Sequence, residues 1–208
     1  MQITVVDASI AYGDVLVFEH LNALIAAHRV TALVGPSGSG KSSLLAAMAG
    51  FQRLRSGAIS IRLDGADVDT SPSPSEIAWA PQGSNSLGAR SAVDNVMIAG
   101  LSRGLALGTA RTEALEVLDL VRLSSRSNQL ARTLSGGELQ RLALARALAA
   151  RRGAVFADEP SANLDEANTR EVASILRDLS NSATIVVATH DPVLIAAADH
   201  VVYVRQPT

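Results

Sequence analysis

The stretch Gly35-Pro36-Ser37-Gly38-Ser39-Gly40-Lys41-Ser42 lies between an apolar run, residues 30–34, and a helical pattern over residues 41–49. It matches the pattern G-x-x-x-x-G-K-[ST], which belongs between a strand and a helix. Glycines let successive backbone N–H groups approach an anion closely, and the helix N-terminus adds positive potential. The stretch therefore predicts a phosphate cradle, in which Lys41 neutralises charge between the β- and γ-phosphates and Ser42 ligates Mg²⁺.

Short apolar runs recur on both sides of this stretch, and several are continuous, as in strands buried on both faces of a sheet. The predicted strands cover residues 3–6, 30–34, 59–63, 154–157, 184–188 and 201–204. Helical patterns lie between them and include residues 41–49, 113–121 and 138–150. In the second of these we expect Leu115, Leu118 and Val121 to share one stripe. Strands that alternate with helices predict an α/β fold with a mostly parallel sheet.

The middle of the chain, from about residue 83 to residue 152, has helical patterns and polar loops but no convincing buried strand. We interpret it as a helical insert in the α/β core. The 208 residues fit one domain, and no domain linker or internal repeat is visible. The prediction is a single domain over residues 1–208, with a core over about 1–82 and 153–208 and a helical subdomain over about 83–152.

The composition excludes several classes of protein. The formal net charge is −2 and no long basic run occurs, so nothing indicates a nucleic-acid partner. The absence of cysteine excludes a disulfide scaffold, a thiolate metal site and a cysteine nucleophile, and it favours a reducing compartment. The N-terminus lacks a signal-peptide pattern, and no apolar run approaches the roughly 18 residues that span a bilayer. A role at a membrane would therefore need another chain to cross it.

Two adjacent acids follow one of the predicted strands. The run 154–157 ends in Asp158-Glu159-Pro160, which places both carboxylates at the carboxyl edge of the sheet, where α/β proteins bind ligands. On an ordinary surface such a pair would simply face solvent. Because the chain also has a phosphate cradle, we expect Asp158 to hold the magnesium shell and Glu159 to polarise the water that attacks the γ-phosphate.

Residues 134–138 read Leu-Ser-Gly-Gly-Glu, in which Ser135 and Glu138 have the spacing of a capping box that begins a helix. The two glycines let an outside group approach the exposed N–H groups. The longer string Leu134-Ser-Gly-Gly-Glu-Leu-Gln-Arg-Leu-Ala-Leu-Ala-Arg-Ala-Leu148 resembles the signature motif of the ABC ATPases, and the resemblance extends over nearly the whole chain. It implies a P-loop NTPase: a RecA-like, mostly parallel sheet core with an antiparallel β region and an inserted α-helical subdomain.

The resemblance also assigns roles to single residues outside these motifs. Tyr12 matches the aromatic residue that stacks on adenine, and Gln82 matches the glutamine that reaches the metal and the attacking water. His190 matches the switch histidine that contacts the γ-phosphate. The other three histidines are expected to be structural: His20, His28 and His200.

In that family the signature closes over ATP held by the opposite subunit, so Ser135 and Gly137 are expected to contact a γ-phosphate in the partner's cradle. Asp165 resembles the residue of the loop that crosses the dimer interface, although on its own it could equally be a helix cap. The resemblance therefore implies two cassettes that bind and hydrolyse ATP with Mg²⁺, either as the expected homodimer or as a pair with a paralogue. The predicted sets are: catalytic, Lys41, Gln82, Glu159 and His190; nucleotide-binding, Tyr12, Gly35, Pro36, Ser37, Gly38, Ser39, Gly40, Lys41, Ser42, Ser43, Ser135 and Gly137; metal, Ser42, Gln82 and Asp158.

A stand-alone cassette of this size resembles the ATPases of bacterial or archaeal transporters, whose membrane subunits are separate chains. Soluble ABC ATPases of translation, DNA repair and chromosome organisation are the alternative, but those join two cassettes or carry long inserts. The string from Asp158 to Asp165 is similar to that of macrolide-exporter and lipoprotein-release cassettes, with Ser161 in place of threonine, and it favours export or extraction over import. We expect a peripheral protein at the cytoplasmic face of the cell membrane, held by a permease that docks near Gln82 in a groove lined by residues 83–90.

Overall fold

The computed structural model describes residues 1–83 and 85–205, and its strands form two sheets. Ser84 in the predicted groove segment and residues 206–208 of the predicted core lie outside the described residues. In chain order the strands are β1 (Gln2–Tyr12), β2 (Val15–Ile25), β3 (Val30–Val34), β4 (Ser56–Arg62), β5 (Ile77–Ala80), β6 (Ala154–Asp158), β7 (Thr184–Thr189) and β8 (His200–Tyr203).

The larger sheet has the strand order β5-β6-β7-β3-β8, and all four of its strand pairs are parallel. Every residue of β7 is buried, as expected of a strand covered on both faces. In β6 the first four residues are buried and Asp158 is half-buried at the carboxyl end. The predicted strands at 30–34, 154–157, 184–188 and 201–204 are confirmed to within one or two residues.

The smaller sheet has the order β2-β1-β4 and is antiparallel. It holds the predicted strands at 3–6 and 59–63, so these two are strands but do not belong to the parallel sheet. The strands β2 and β5 were not predicted. In β2 the polar residues Glu19, His20 and Asn22 interrupt the apolar residues and the buried positions do not alternate regularly, and β5 has only four residues. The implied combination of a parallel core and an antiparallel β region is confirmed.

Six α-helices complete the fold: α1 (Lys41–Met48), α2 (Ala92–Ser102), α3 (Leu107–Leu120), α4 (Gly136–Ala149), α5 (Glu166–Ser180) and α6 (Pro192–Ala197). Between β5 and β6 the described residues form helices and turns without a strand, and α2, α3 and α4 all lie there. The stripe predicted for α3 is wrong in one member, because Leu115 is exposed whereas Leu118 and Val121 are fully buried. The domain and subdomain boundaries stay predictions.

The core is built from aliphatic side chains in two clusters. One packs the helices of the middle segment and α5 against the parallel sheet, and the other fills the space between the two sheets and α1. Three aromatic rings connect the surface to this interior: exposed Phe51 contacts Trp79, and Trp79 contacts fully buried Phe156, each pair edge-to-face with centroids 6.2 Å apart. None of the helices within residues 1–83 and 85–205 is long and apolar enough to cross a membrane.

Candidate active site

A cavity of about 470 Å³ lies where the central strands of the parallel sheet end. The loop after β3, Glu159 after β6 and the histidine after β7 reach it from neighbouring strands. Parallel strands bring their carboxyl ends to one edge of a sheet, so residues far apart in sequence meet there. The lining residues are Tyr12, Val17, Ser37, Gly38, Gly40, Lys41, Ser42, Ser43, Gln82, Glu159, Ala162 and His190.

The loop from Gly35 to Ser42 is shaped by two glycines that cannot be replaced freely. Gly40 has φ +94° at the beginning of α1, and a Cβ there would lie 2.5 Å from Val17 Cγ1. A Cβ on Gly35 would lie 2.4 Å from the Val204 carbonyl oxygen. The Ser39 hydroxyl is buried and has no hydrogen-bond partner among the described residues. The loop is therefore a tight backbone cradle at a helix N-terminus, the arrangement that binds anions.

Lys41 is the only lysine among the 18 basic residues of the chain, and its side chain is 6% exposed. Its Nζ donates hydrogen bonds to the carbonyl oxygens of Gly35 (2.9 Å) and Pro36 (3.2 Å) and lies 3.5 Å from Glu159 Oε1. The ammonium thus lies beside the cradle, held by neutral oxygens and one carboxylate. A phosphate oxygen could replace these partners because it offers a stronger, charged acceptor.

The two acids have different surroundings. Asp158 Oδ1 accepts a hydrogen bond from Ser42 Oγ at 3.0 Å. Burial raises the pKa of Asp158, and the adjacent Glu159 charge raises it further, whereas the Ser42 hydrogen bond and Lys41 act in the opposite direction. Asp158 and Ser42 therefore form one pair of oxygen donors, the ligand type that Mg²⁺ prefers.

Glu159 is the acid that faces the cavity. Its backbone has φ +46°, a conformation that non-glycine residues seldom adopt and that costs of order 1 kcal/mol. The Glu159 N–H donates to the Ala188 carbonyl (2.9 Å), which fixes this turn against β7. Its carboxylate is 3.1 Å from His190 Nδ1, and the His190 side chain is 75% exposed. The strained turn thus aims a carboxylate, flanked by a cation and an imidazole, at the cavity.

Tyr12 and Gln82 lie on the lining at the places the sequence analysis predicts. The Tyr12 hydroxyl is within 3.1 Å of Ser43 Oγ, and the ring is 52% exposed, so a flat face remains open to solvent. Gln82 follows β5 and lines the same cavity as Glu159. Ser42, Asp158 and Gln82 each carry a side-chain oxygen, the type of ligand that Mg²⁺ prefers.

The signature segment lies elsewhere. Ser135 caps α4: its hydroxyl accepts from Glu138 N (3.3 Å), and Glu138 Oε2 accepts from Ser135 N (2.8 Å), so the predicted capping box is confirmed. Arg126 Nε also donates to Glu138 (2.8 Å). The Ser135 N–H, followed by the side-chain hydrogen bond of Arg126, holds the pKa of Glu138 below its ordinary value although burial acts in the other direction.

Gly137 is buried against α5. A Cβ on Gly137 would lie 2.3 Å from Asn168 Oδ1, so the contact requires glycine. Asn168 is itself fixed, because Asp165 caps α5 and its Oδ1 accepts from both N and Nδ2 of Asn168, each at 2.8 Å. These bonds hold the pKa of Asp165 low. The cap of α5 and the beginning of α4 are therefore joined within one chain.

The structure brings most of the predicted residues together and separates the rest. Asp158 reaches the site through Ser42, while three cradle residues, Gly35, Pro36 and Ser39, lie behind the cavity lining. Ser135 and Gly137 are not among the lining residues. The sequence analysis missed Val17 and Asn168. The short apolar run at the beginning of β2 was the available signal for the first, and the spacing from Asp165 was the available signal for the second.

Comparison with known proteins identifies the family. The family model described as "ABC transporter" matches residues 18–162, more than half of the chain. An uncharacterized ABC transporter ATP-binding protein of Mycobacterium tuberculosis is 37% identical over 190 residues, which cover 88% of this chain and 57% of the relative. The lipoprotein-releasing system ATP-binding protein LolD of Bacteroides fragilis is 33% identical over 202 residues, 93% of each protein. The Fe(3+) ions import ATP-binding protein FbpC of Streptomyces coelicolor is 35% identical over 95% of this chain and 58% of FbpC.

Thus the chain spans little more than half the length of the first of these relatives. Among solved structures, the dimeric structure of MJ0796, a bacterial ABC transporter cassette, has a TM-score of 0.81 and 26% identity, and the match covers 97% of this chain and 94% of that one. A post-hydrolysis dimer of the same cassette, bound to ADP and Pi, has the same TM-score at 25% identity. Sequence family, fold and site geometry agree: the chain belongs to the ABC transporter family, as an ATP-binding cassette of the P-loop ATPase fold.

Proposed function

We propose that this chain binds and hydrolyses ATP as a dimer and so drives a separate membrane permease, for export or extraction of a substrate. The observation that carries the proposal is the convergence of Lys41, Glu159 and His190 on one cavity beside the cradle. A cation for phosphate charge and a carboxylate for water activation are the two side-chain functions that phosphoryl transfer to water needs. The cavity lies at the sheet edge where both can face the same phosphate.

In the proposed reaction the cradle N–H groups and Lys41 hold the β- and γ-phosphates, and Tyr12 stacks on adenine. Glu159 accepts a proton from the attacking water as the water oxygen bonds to the γ-phosphorus. The bond from that phosphorus to the bridging oxygen breaks, and ADP and inorganic phosphate leave. His190 orients Glu159 and contacts the γ-phosphate. The fixed backbone turn at Glu159 supports this role because it needs no rearrangement to aim the carboxylate.

Mg²⁺ bound with the nucleotide would neutralise charge on the β- and γ-phosphate oxygens. We propose that Ser42, Gln82 and Asp158 hold it. The Ser42–Asp158 hydrogen bond supports this assignment because it already brings a hydroxyl and a carboxylate oxygen within 3.0 Å of each other.

The absence of Ser135 and Gly137 from the cavity lining supports a site completed by a second copy. Neither residue lines the cavity of its own chain, yet the capping box leaves the helix N-terminus of α4 in a defined orientation. In the proposed dimer each α4 begins at the γ-phosphate held by the other chain, and Asp165 lies near the interface. ATP then favours the closed pair, and hydrolysis reopens it.

Mixing two inactive variants tests this arrangement. Lys41→Ala removes the cradle cation, and Ser135→Arg blocks the signature. If the sites are shared between chains, a mixed dimer has one intact site. That site is formed by the cradle of the Ser135→Arg chain and the signature of the Lys41→Ala chain. We expect mixing to restore ATP turnover to at least a tenth of the wild-type rate. Persistent inactivity in verified mixed dimers would contradict a shared site.

The partner is proposed to dock in a groove of about 280 Å³ between the middle helices and the core. Its lining contains apolar side chains and two arginines but no carboxylate. The lining residues are Pro74, Ile77, Ala78, Trp79, Asn85, Asn95, Ile98, Ala99, Ala143, Arg146, Ala147, Ala150 and Arg152. Asn85 belongs to the predicted segment 83–90. The lining favours an amphipathic permease segment that carries an acidic residue.

Export is supported by the string from Asp158 to Asp165, which is similar to that of lipoprotein-release cassettes, and by the match with LolD. The match with FbpC supports import as the second candidate. Mass spectrometry of proteins that co-purify with the tagged chain from detergent-solubilised membranes decides between them. We expect a permease with a large extracytoplasmic domain; a many-helix permease with a solute-binding protein would instead indicate import, and only soluble partners would refute transport.

A further inference from the structure

Charge is distributed unevenly between the middle of the chain and the rest of it. Residues 83–152 contain ten arginines and five acidic residues, which gives them a formal charge of +5. The remaining residues contain eight basic and 15 acidic residues and have a formal charge of −7. A chain whose net charge is only −2 therefore consists of two oppositely charged parts, a distribution that favours contact between unlike regions of two molecules.

Two of the arginines form a basic patch beside the signature. Arg132 lies three residues before Ser135, and its backbone N–H donates to the Gly88 carbonyl at 3.1 Å. The N–H of Ala131 donates to the Arg90 carbonyl at 2.9 Å, so the backbone at Arg90 runs beside the backbone that leads to Arg132. Both arginines are exposed, and neither has a carboxylate within ion-pair distance in the part of the chain that the structure describes. The basic patch, Arg90 and Arg132, thus holds two cations without an anionic partner.

The hairpin of β1 and β2 carries the opposite charge beside the nucleotide cavity. Residues 1–28 contain three acidic residues and no lysine or arginine. Two of the acids are exposed and have no cation within ion-pair distance among the described residues: Asp14 and Glu19. Asp14 lies in the turn two residues after Tyr12, and Glu19 lies two residues after Val17. Because Tyr12 and Val17 both line the cavity, this acidic hairpin, defined by Asp14 and Glu19, borders it.

We propose that the basic patch of one copy pairs with the acidic hairpin of a second copy, so that charge selects and orients the partner cassette. The inference rests on the proposed function, in which Ser135 of one copy reaches the nucleotide held by the other. Arg132 is within about 10 Å of Ser135 even if the chain between them is extended. The Tyr12 hydroxyl lies 3.1 Å from Ser43 Oγ, so the acidic hairpin begins at the edge of the cavity that the signature enters.

The expected energetics follow from exposure and symmetry. Exposed ion pairs are individually weak and are screened by salt, whereas like charges that face each other oppose association. A twofold dimer contains each contact twice, so one substitution changes two pairs. The pairing therefore predicts a dimer whose affinity falls with ionic strength and which rejects a partner with a reversed charge.

Sedimentation velocity of the full-length Glu159→Gln chain with saturating ATP and Mg²⁺ measures the dimer without turnover. Because added salt shortens the range of charge interactions, we expect the Kd of the dimer to rise about tenfold between about 0.05 M and about 0.3 M NaCl. In the same background at the lower salt concentration, Arg132→Glu and Asp14→Arg should each raise the Kd about tenfold, since each homodimer then contains two like-charged pairs.

Mixing these two charge-reversal variants tests the contact between chains directly. In their heterodimer one contact is unchanged and the other has its charges exchanged, so both pairs attract. We expect the equimolar mixture to dimerise within about threefold of the Kd of the unmodified interface. Arg111→Glu and Asp67→Arg make the same changes in net charge at other exposed positions. Alone or mixed, these control variants should stay within about twofold of the unmodified interface, because they lie outside the proposed contact.

The outcomes separate the pairing from the proposed function. A dimer that forms with the same Kd at both salt concentrations, or a mixture that does not recover, would overturn the pairing and leave the dimer intact. Failure of the Glu159→Gln chain to dimerise at either salt concentration would contradict the proposed function and the pairing with it. If a reversal variant does not fold, Arg132→Gln and Asp14→Asn take its place. Their double variant should then dimerise no more weakly than the weaker single variant, and losses that multiply would overturn the pairing.

Discussion

The cavity beside the cradle and the beginning of α4 are built in different ways. The cavity collects Lys41, Gln82 and Glu159 from three strand ends, and these residues face one another. The beginning of α4 is held by Glu138 and by Asn168, and its Ser135 and Gly137 do not line that cavity. The first region is arranged to surround a ligand, whereas the second would meet one only in the dimer that we propose.

Glu159→Gln should break the first region with the largest effect. The amide keeps the shape of the side chain but cannot act as a base, so we expect kcat to fall by a factor on the order of 10²–10⁴ while ATP still binds. Turnover and binding of a fluorescent ATP analogue are measured side by side. Glu116→Gln, which removes an exposed carboxylate from α3, is the control and should behave as wild type. Unchanged turnover in Glu159→Gln would refute its assigned role.

Gly137→Ala should break the second region without touching the first. The new Cβ would lie 2.3 Å from Asn168 Oδ1 and 3.2 Å from Asn168 Cβ, so the Asn168 side chain must leave its bond to Asp165 or the two helices must move apart. We expect kcat to fall roughly ten- to a hundredfold, with the affinity of the monomer for ATP unchanged, by analogy with other small misplacements of catalytic groups. Adding Asn168→Ala should recover part of the loss because it removes the colliding atoms. If the pair is as slow as Gly137→Ala alone, the contact with Asn168 is not the cause.

Tyr12→Ala should weaken binding at the edge of the first region by a moderate amount. Loss of a base-stacking ring costs about 1–3 kcal/mol, so the Kd for ATP should rise roughly 5- to 150-fold. Tyr12→Phe keeps the ring and loses only the contact with Ser43, so it should stay near the wild-type value. Equilibrium titration with a fluorescent nucleotide measures both. Equal losses in the two variants would assign the effect to the hydroxyl and remove the case for stacking.

The smallest expected effect concerns Glu138, which caps α4, and the pH dependence of the stability that it contributes. Because the folded-state pKa of Glu138 is lowered from its ordinary value of 4.5, its ionised form stabilises the fold above that value, and this stability is lost as pH falls below it. Glu138→Gln should therefore cost about 0.5–1 kcal/mol in urea unfolding at pH 7 and less at pH 3.5. A cost that is equal or larger at the lower pH would contradict this assignment.

The positions of the candidate site residues could be predicted from the sequence better than the contacts that hold those residues in place. Motif positions located the cradle and the acid pair because the fold requires those residues at the ends of buried strands, where apolar runs are easy to see. The strand β2 was missed because Glu19, His20 and Asn22 interrupt its apolar residues, so it shows neither a regular alternation nor a continuous apolar run. Val17, whose methyl group requires glycine at position 40, was missed with it.

Asn168 and the Arg146–Asn85 contact were missed for a different physical reason. They join residues 31 and 61 positions apart, between Gly137 and Asn168 and between Asn85 and Arg146, through side chains whose partners depend on how helices pack. No local pattern encodes such a pairing. By contrast the Ser135–Glu138 capping box spans three residues and could be predicted directly.

The ring contacts of Trp79 give the molecule an optical property. Trp79 is the only tryptophan in the chain, and it lines the groove. Its ring lies between exposed Phe51 and buried Phe156, and Phe156 is two residues before Asp158 in the sequence. Indole emission shifts with the polarity of its surroundings, so light emitted by this one residue would report when water leaves the groove. The cassette thus carries, without any added label, an indicator of contact with the membrane partner that we propose.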